Sequence, residues 1–179
     1  MILLMGLPGS GKGTQGKMLA DEKGLHLIST GELLRMYITG ERRQRMLEGE
    51  FLDDQEMIEL LQKVLDGFTD SKDIVLDGFP RTTVQAQWLL EQQAAGKLSI
   101  DHIVYLKASH EAVKSRLMAR GRLDDKEDVI ERRFHDYEGL TQPVIDWFKE
   151  QGMPVHEIDG EGTAAEVHED VRRVLNLPE

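Results

Sequence analysis

The chain of 179 residues contains no cysteine. That absence excludes disulfides, a thiolate zinc site and a catalytic thiol. It fits an intracellular protein, and a cytoplasmic location is expected. No apolar stretch approaches the ~20 residues that a membrane span needs, so no membrane association is expected. The start, MILLMGLPGSGKG, has no basic region and only a short apolar run before glycines begin, unlike a signal peptide. Positive charge is also scarce. Twenty-two Lys and Arg stand against 33 Asp and Glu, a formal net charge of −11. Such a balance argues against a nucleic-acid partner. An acidic protein that binds polyanions must gather its cations in one place, so arginines at motif positions matter more than a basic surface. Repeats, low-complexity tracts and linkers are lacking as well, and the length suits one domain, 1–179, with its own core.

What is present is an alternation. Residues 1–5 (MILLM), 25–28 (LHLI), 74–76 (IVL), 103–106 (IVYL) and 155–158 read as strands. The first four are mostly apolar on successive residues, as strands covered on both faces are. Helical patterns lie between them. Ser29 with Glu32, Asp53 with Glu56, Asp125 with Asp128 and Thr163 with Glu166 resemble capping boxes. Met57, Ile58, Leu61, Val64 and Leu65 predict a helix over 54–65. The sum is an α/β fold with a parallel sheet and helices on both faces. Residues 36–52 and 120–126 fit this scheme poorly. Their charge suits surface elements that move over a ligand, and equally suits solvated loops or a solvated helix face.

The strongest motif is GLPGSGKGTQ at residues 6–15, after the first strand and before a helical pattern. Glycines let the backbone fold round a phosphate, with N–H groups and a helix N-terminus aimed at its oxygens. Lys12 can reach the β- and γ-phosphates. A strict phosphate loop has Ser or Thr after the lysine; here Gly13 intervenes and the hydroxyl comes at Thr14. In IVLDGFPR at 74–81, an apolar strand ends in Asp77, the place of a carboxylate that organises Mg²⁺. Asp-Gly after a strand is otherwise a turn. Arg81 follows just beyond the strand's carboxyl end, where open α/β sheets bind ligands. In ISTGELLR at 28–35, Thr30 and Gly31 are either site residues or caps, and Arg35 either a site cation or solvated. In RLMARGRLDD at 116–125, a turn at Gly121 would cluster Arg120 and Arg122 with Arg133; a charged helix face is the plain alternative.

Together and in this order, these motifs, with LDGFPRTTVQA and TQPVIDWF, resemble the adenylate kinase family over nearly the whole chain. The resemblance implies a P-loop NTPase fold with a five-stranded parallel sheet. It implies a monophosphate-binding segment at about 29–53 and a lid at about 119–126. It implies transfer of the ATP γ-phosphoryl group to AMP with Mg²⁺ as cofactor, by a monomer whose partners are ATP, AMP and ADP. Gly9, Ser10, Gly11, Lys12, Gly13 and Thr14 would hold the ATP phosphates, with Arg120 facing ATP and Gly162 near its adenine. Thr30, Arg35, Glu50, Phe51, Leu52, Gly78, Arg81 and Gln85 would hold AMP. Arg122 and Arg133 would bridge the phosphates. Lys12, Arg81, Arg120, Arg122 and Arg133 would be catalytic, and Asp77, through water, and Thr14 would hold Mg²⁺.

The chemistry agrees. A phosphate monoester is already anionic at pH 7, so the acceptor needs no general base. Catalysis then rests on alignment and on cations that meet transition-state charge. Two departures stand out. Residues 39–52 are shorter than the family norm, with Gly49-Glu50-Phe51-Leu52-Asp53 where members carry Gly-x-Leu-Val-Pro. The lid is very short, lacking the long insert and the zinc-binding cysteines of some members, so no zinc is expected.

The nearest alternative is a UMP or CMP kinase, against which Thr30 and Gln85 favour adenine by the same resemblance. Gln85 follows Arg81 by one helical turn, so both can face one pocket. A nucleotide-sensing or chaperone-like P-loop protein that binds without turnover would not need every cation, and a GTPase lacks its Asn-Lys-x-Asp motif here. The six histidines show no ligand spacing and read as surface or packing residues, and Trp88 and Trp147 read as packing.

Overall fold

The computed structural model describes residues 1–48 and 52–177. Five parallel strands appear: β1 (Ile2–Gly6), β2 (His26–Ser29), β3 (Ile74–Asp77), β4 (His102–Lys107) and β5 (Val155–Asp159). They lie in the order β2-β3-β1-β4-β5. The helices are α1 (Lys12–Lys23), α2 (Thr30–Tyr37), α3 (Gly40–Leu47), α4 (Asp54–Leu65), α5 (Thr83–Ala94), α6 (His110–Arg120), α7 (Glu127–Asp136), α8 (Gln142–Glu150) and α9 (Ala164–Val174). A π-turn, Tyr137–Thr141, joins α7 to α8.

Side chains alternate across a strand, and both faces are covered. Leu3, Met5, Leu76 and Ile103 pack on one side with Leu61 of α4, Leu89 of α5 and Phe148 of α8. Leu4, Val75 and Val104 pack on the other with Leu19 of α1 and Val171 of α9. That is why the strands read as continuous apolar runs. Each such buried side chain contributes about 1.5–3 kcal/mol. Trp88 and Trp147 are partly buried against the first of these cores, as expected.

The five expected strands and the helix over 54–65 are borne out. The capping expectations divide. Thr163 and Glu166 form a full capping box, and Asp53 caps α4 by accepting from Gln55 N. Glu56 instead pairs with Arg42. Ser29 precedes α2, but its hydroxyl donates to Asp77 Oδ2 at 3.2 Å rather than capping. Lys126, not Asp125, is the N-cap of α7, because Asp125 is taken by Arg120 and the N–H of Arg122. Within residues 36–52, α3 forms.

Parallel strands put their carboxyl ends on one edge. Gly6 ends β1, Asp77 ends β3 and Lys107 ends β4, and the site is built there.

Candidate active site

Between β1 and α1 the chain makes a tight loop that only glycine permits at its start. Gly6 has φ 142°, and a Cβ there would sit 2.4 Å from Leu106 O and 2.7 Å from Ser10 Oγ. Gly11, the N-cap of α1, is also left-handed, with φ 102°. The loop therefore turns backbone N–H groups toward the helix N-terminus, a ready anion site. Lys12 curls back over it, donating from Nζ to Gly6 O and Leu7 O, both at 2.8 Å.

Lys12 shares one cavity of about 1030 Å³ with Arg35, Arg81, Arg120, Arg122 and Arg133. The acidic chain thus gathers cations in one hollow. The cost shows in their acidities. Burial pushes the Lys12 ammonium down to about 8; Asp77 opposes this, while Arg81, Arg133 and Arg120 add to it. Burial also pushes Arg81 down to about 10, with Arg133 adding and Asp77 opposing. Arg35 and Arg133 are lowered too, by burial first. Such a cluster is relieved by a polyanion.

Local bonds aim these groups. Arg81 Nε donates to Gly78 O at 2.8 Å. Gly78 has φ 84°, and a Cβ there would meet Thr30 Oγ1 at 2.7 Å. Arg120 and Asp125 are bidentate, at 2.8 and 2.6 Å. Arg133 pairs with Asp124 at 3.1 Å. Arg122 is exposed.

Residues 9–14, Asp77, Gly78 and Gly162 also line the cavity. Thr30, Leu52 and Gln85 are not among its lining residues. Thr30 is fully buried, and its hydroxyl donates to Asp77 O at 3.2 Å. Gln85 is 3% exposed, and its Oε1 accepts the backbone N–H of Arg81 at 2.8 Å. Leu52 packs on the core. Glu50 and Phe51 lie outside the described residues.

The oxygen donors present fit Mg²⁺. Asp77 Oδ1 is buried and has no hydrogen-bond partner among the described residues. A Cβ at Gly13 would lie 3.8 Å from Asp77 Oδ2, so the carboxylate borders the first turn of α1, next to the exposed Thr14. Among the described residues no group of three His, Cys, Asp or Glu could cage a metal. Mg²⁺ needs no such cage, since it keeps waters and substrate oxygens as ligands.

Two features escaped the sequence reading. Arg116 lines the cavity and donates to Gly160 O at 2.7 Å and Glu161 O at 2.9 Å, fixing the loop that carries Gly162. Its position at the head of the RLMARGRLDD stretch was the available signal. His168 fits the packing alternative but also carries hydrogen bonds that the sequence does not show. It is buried, with Nδ1 2.9 Å from Gln15 Oε1 and Nε2 3.0 Å from Glu22 Oε2, and it ties α9 to α1. His102 and His156 also meet, at 3.1 Å.

A phosphate loop at the end of β1, an acidic residue at the end of β3 and a hollow lined with cations define a P-loop nucleotide-binding protein. The sequence matches the family model described as Adenylate kinase over residues 4–153. It is 36% identical over 180 residues to the adenylate kinase of Bacteroides thetaiotaomicron, with 95% of each chain covered. It is 37% identical over 184 residues to that of Maricaulis maris, with 97% of each covered. It is 36% identical over 182 residues to that of Prochlorococcus marinus, covering 98% of this chain and 97% of the relative. The chain belongs to the adenylate kinase family. The expected fold, family and reaction, ATP:AMP phosphotransfer, are borne out. Among the described residues no helix is long and apolar enough to cross a membrane.

Proposed function

We propose that the six gathered cations are the catalytic apparatus of this phosphotransfer, with Lys12, Arg81, Arg120, Arg122 and Arg133 acting on the transferred group and Arg35 on the acceptor phosphate. The observation that carries this reading is their convergence on one hollow, with burial lowering Lys12 to about 8. A polyanion in that hollow would offset the repulsion among them.

In the reaction a phosphate oxygen of AMP bonds to the γ-phosphorus as the bond from that phosphorus to the β-bridging oxygen breaks. The products are two ADP. The attacking oxygen is already anionic, so no residue need take a proton. Residues 9–14 hold the ATP phosphates by N–H groups and the α1 N-terminus, and Lys12 follows the γ-phosphate. Arg81, Arg122 and Arg133 meet charge spread over the transferred group, which is worth most where water is excluded. Arg120 and the loop of Gly162, held by Arg116, lie on the ATP side. Thr30 and Gln85 lie on the AMP side, with Gly78 leaving room beside Thr30. Asp77, through water, and Thr14 would hold Mg²⁺, which when bound neutralises β- and γ-phosphate oxygens. Residues 29–53 and 119–126 cover the two nucleotides. The enzyme acts in the cytoplasm as a monomer on free nucleotides; every cation named comes from one chain, and its net charge of −11 disfavours nucleic acid.

The test is ADP formation from ATP and AMP with Mg²⁺. Two ADP per AMP consumed, and negligible ATP hydrolysis without AMP, support this reading. ATP hydrolysis independent of AMP would contradict it.

A further inference from the structure

Gln85 lies in the first turn of α5 with its amide held at both ends. Its Oε1 accepts the backbone N–H of Arg81 at 2.8 Å. Its Nε2 donates to Asp54 Oδ1, also at 2.8 Å. The same Asp54 oxygen accepts the Thr82 hydroxyl at 2.9 Å. That hydroxyl in turn caps α5 by accepting the N–H of Gln85 at 3.3 Å. Asp54 is the first residue of α4, directly after the monophosphate-binding segment, where the helix N-terminus favours a carboxylate.

The chemistry of the partners decides which way the amide points. A backbone N–H only donates, so it must face the carbonyl. An ionised carboxylate only accepts, so it must face the NH₂. Turning the amide over would set NH₂ against N–H and oxygen against carboxylate, in a place where Gln85 is 3% exposed. An unmatched buried polar pair is costly.

We propose that Asp54 is a positioning residue for base choice: by fixing the amide sense of Gln85 it makes the acceptor site admit an amino-bearing base and reject an oxo-bearing one. The proposal rests on the reading that Gln85 contacts the acceptor base. After its internal bonds the amide keeps one N–H and one lone pair. Offered in a fixed sense, they match a base edge with an amino group beside an unprotonated ring nitrogen. That is the edge of adenine, the base the family's reaction requires. A 6-oxo purine reverses both groups, a carbonyl beside a ring N–H. A free amide would turn over to suit it; one held by Asp54 does not. AMP and IMP have the same size, so this discrimination comes from edge chemistry alone.

The experiment measures kcat/KM for AMP and for IMP in the wild type, Asp54→Ala, Asp54→Asn and Gln85→Ala, with thermal unfolding to show that each is folded. Asp54→Ala is expected to narrow the AMP-over-IMP preference by about tenfold, through KM for the monophosphate with KM for ATP unchanged. Asp54→Asn, whose side-chain carbonyl still accepts, should keep the preference near the wild-type value. Gln85→Ala should narrow it too, and adding Asp54→Ala to it should do nothing more. A folded Asp54→Ala enzyme with the wild-type preference, beside a Gln85→Ala enzyme that has lost it, overturns the positioning role and leaves Gln85 as base reader. A Gln85→Ala enzyme with the wild-type preference overturns both. Asp54→Asn losing as much as Asp54→Ala also overturns the proposal, since the acceptor is then not what matters. If Asp54→Ala does not fold, Asp54→Ser takes its place; it suits a helix start but is too short to reach Gln85.

Discussion

Arg120 and Asp125 close a bidentate ion pair around the turn at Gly121, with Asp125's side chain wholly buried and Arg120's about one-third exposed. Two N–H groups of a planar guanidinium on one carboxylate fix direction as well as distance. The pair therefore sets where Arg120 points into the cavity. Burial alone would raise the Asp125 pKa. The Arg120 hydrogen bonds and the N–H of Arg122 outweigh it and hold the carboxyl below its ordinary range. Asp125→Ala should cost about 2 kcal/mol in denaturant unfolding and raise KM for ATP. The sign with pH follows: a depressed carboxyl stabilises above its unfolded value near 4 and loses that contribution in more acid solution. The wild type should lose its advantage over the variant below about pH 4, and a constant difference there would contradict this account of the pair.

Lys12 and Arg122 act mainly in the transition state on this account. Lys12→Met or Arg122→Ala should cut kcat about 10³-fold while the AMP dissociation constant changes little. Single-turnover kinetics with separate AMP binding decides it. A tenfold or smaller loss of kcat in both variants, on the order of 1.4 kcal/mol, would remove the role.

The lowered Lys12 makes binding proton-linked. Its ammonium sits at about 8 in the free protein, and phosphate oxygens favour the charged form. Bound nucleotide therefore raises that value, the complex holds more protons than the free protein near pH 8, and binding takes protons up. ATP affinity should fall as pH rises through and above about 8. Calorimetry at pH 8 in two buffers of different ionisation enthalpy measures the uptake. Lys12→Arg, which does not titrate there, should abolish it.

Much of this was legible in the sequence because the determinants are local. Strands buried on both faces show as unbroken apolar runs, and the phosphate loop must be glycine-rich where φ is positive and a carbonyl stands 2.4 Å from the missing Cβ. The cations were legible because an acidic chain has few to spare. Arg116, His168 and Asp54 were not, since each acts through a partner distant in sequence: Gly160, Gln15 and Gln85 respectively. No periodicity records such pairings. Helical spacing put Gln85 beside Arg81 in one pocket, but it could not show that the Arg81 N–H and Asp54 hold the amide in one sense. The capping patterns misled where a stronger partner competed, as Arg120 does for Asp125.

Metal dependence tests the proposed short lid at 119–126 against a metal-stapled one. The chain has no cysteine. After EDTA treatment, Mg²⁺ alone should restore full activity, and added Zn²⁺ should raise neither rate nor melting temperature. A persistent zinc requirement would contradict the reading of the lid.

The central claim is that this cation-lined hollow serves ATP and AMP. The most direct test is a coupled assay with ATP, Mg²⁺ and a panel of AMP, UMP, CMP and GMP. Base-contacting groups left unpaired cost about 1–3 kcal/mol each, enough for roughly tenfold to hundredfold discrimination. AMP should lead every other acceptor by at least about tenfold in kcat/KM. If UMP or CMP matched AMP, the assignment of the acceptor site to adenine would be contradicted.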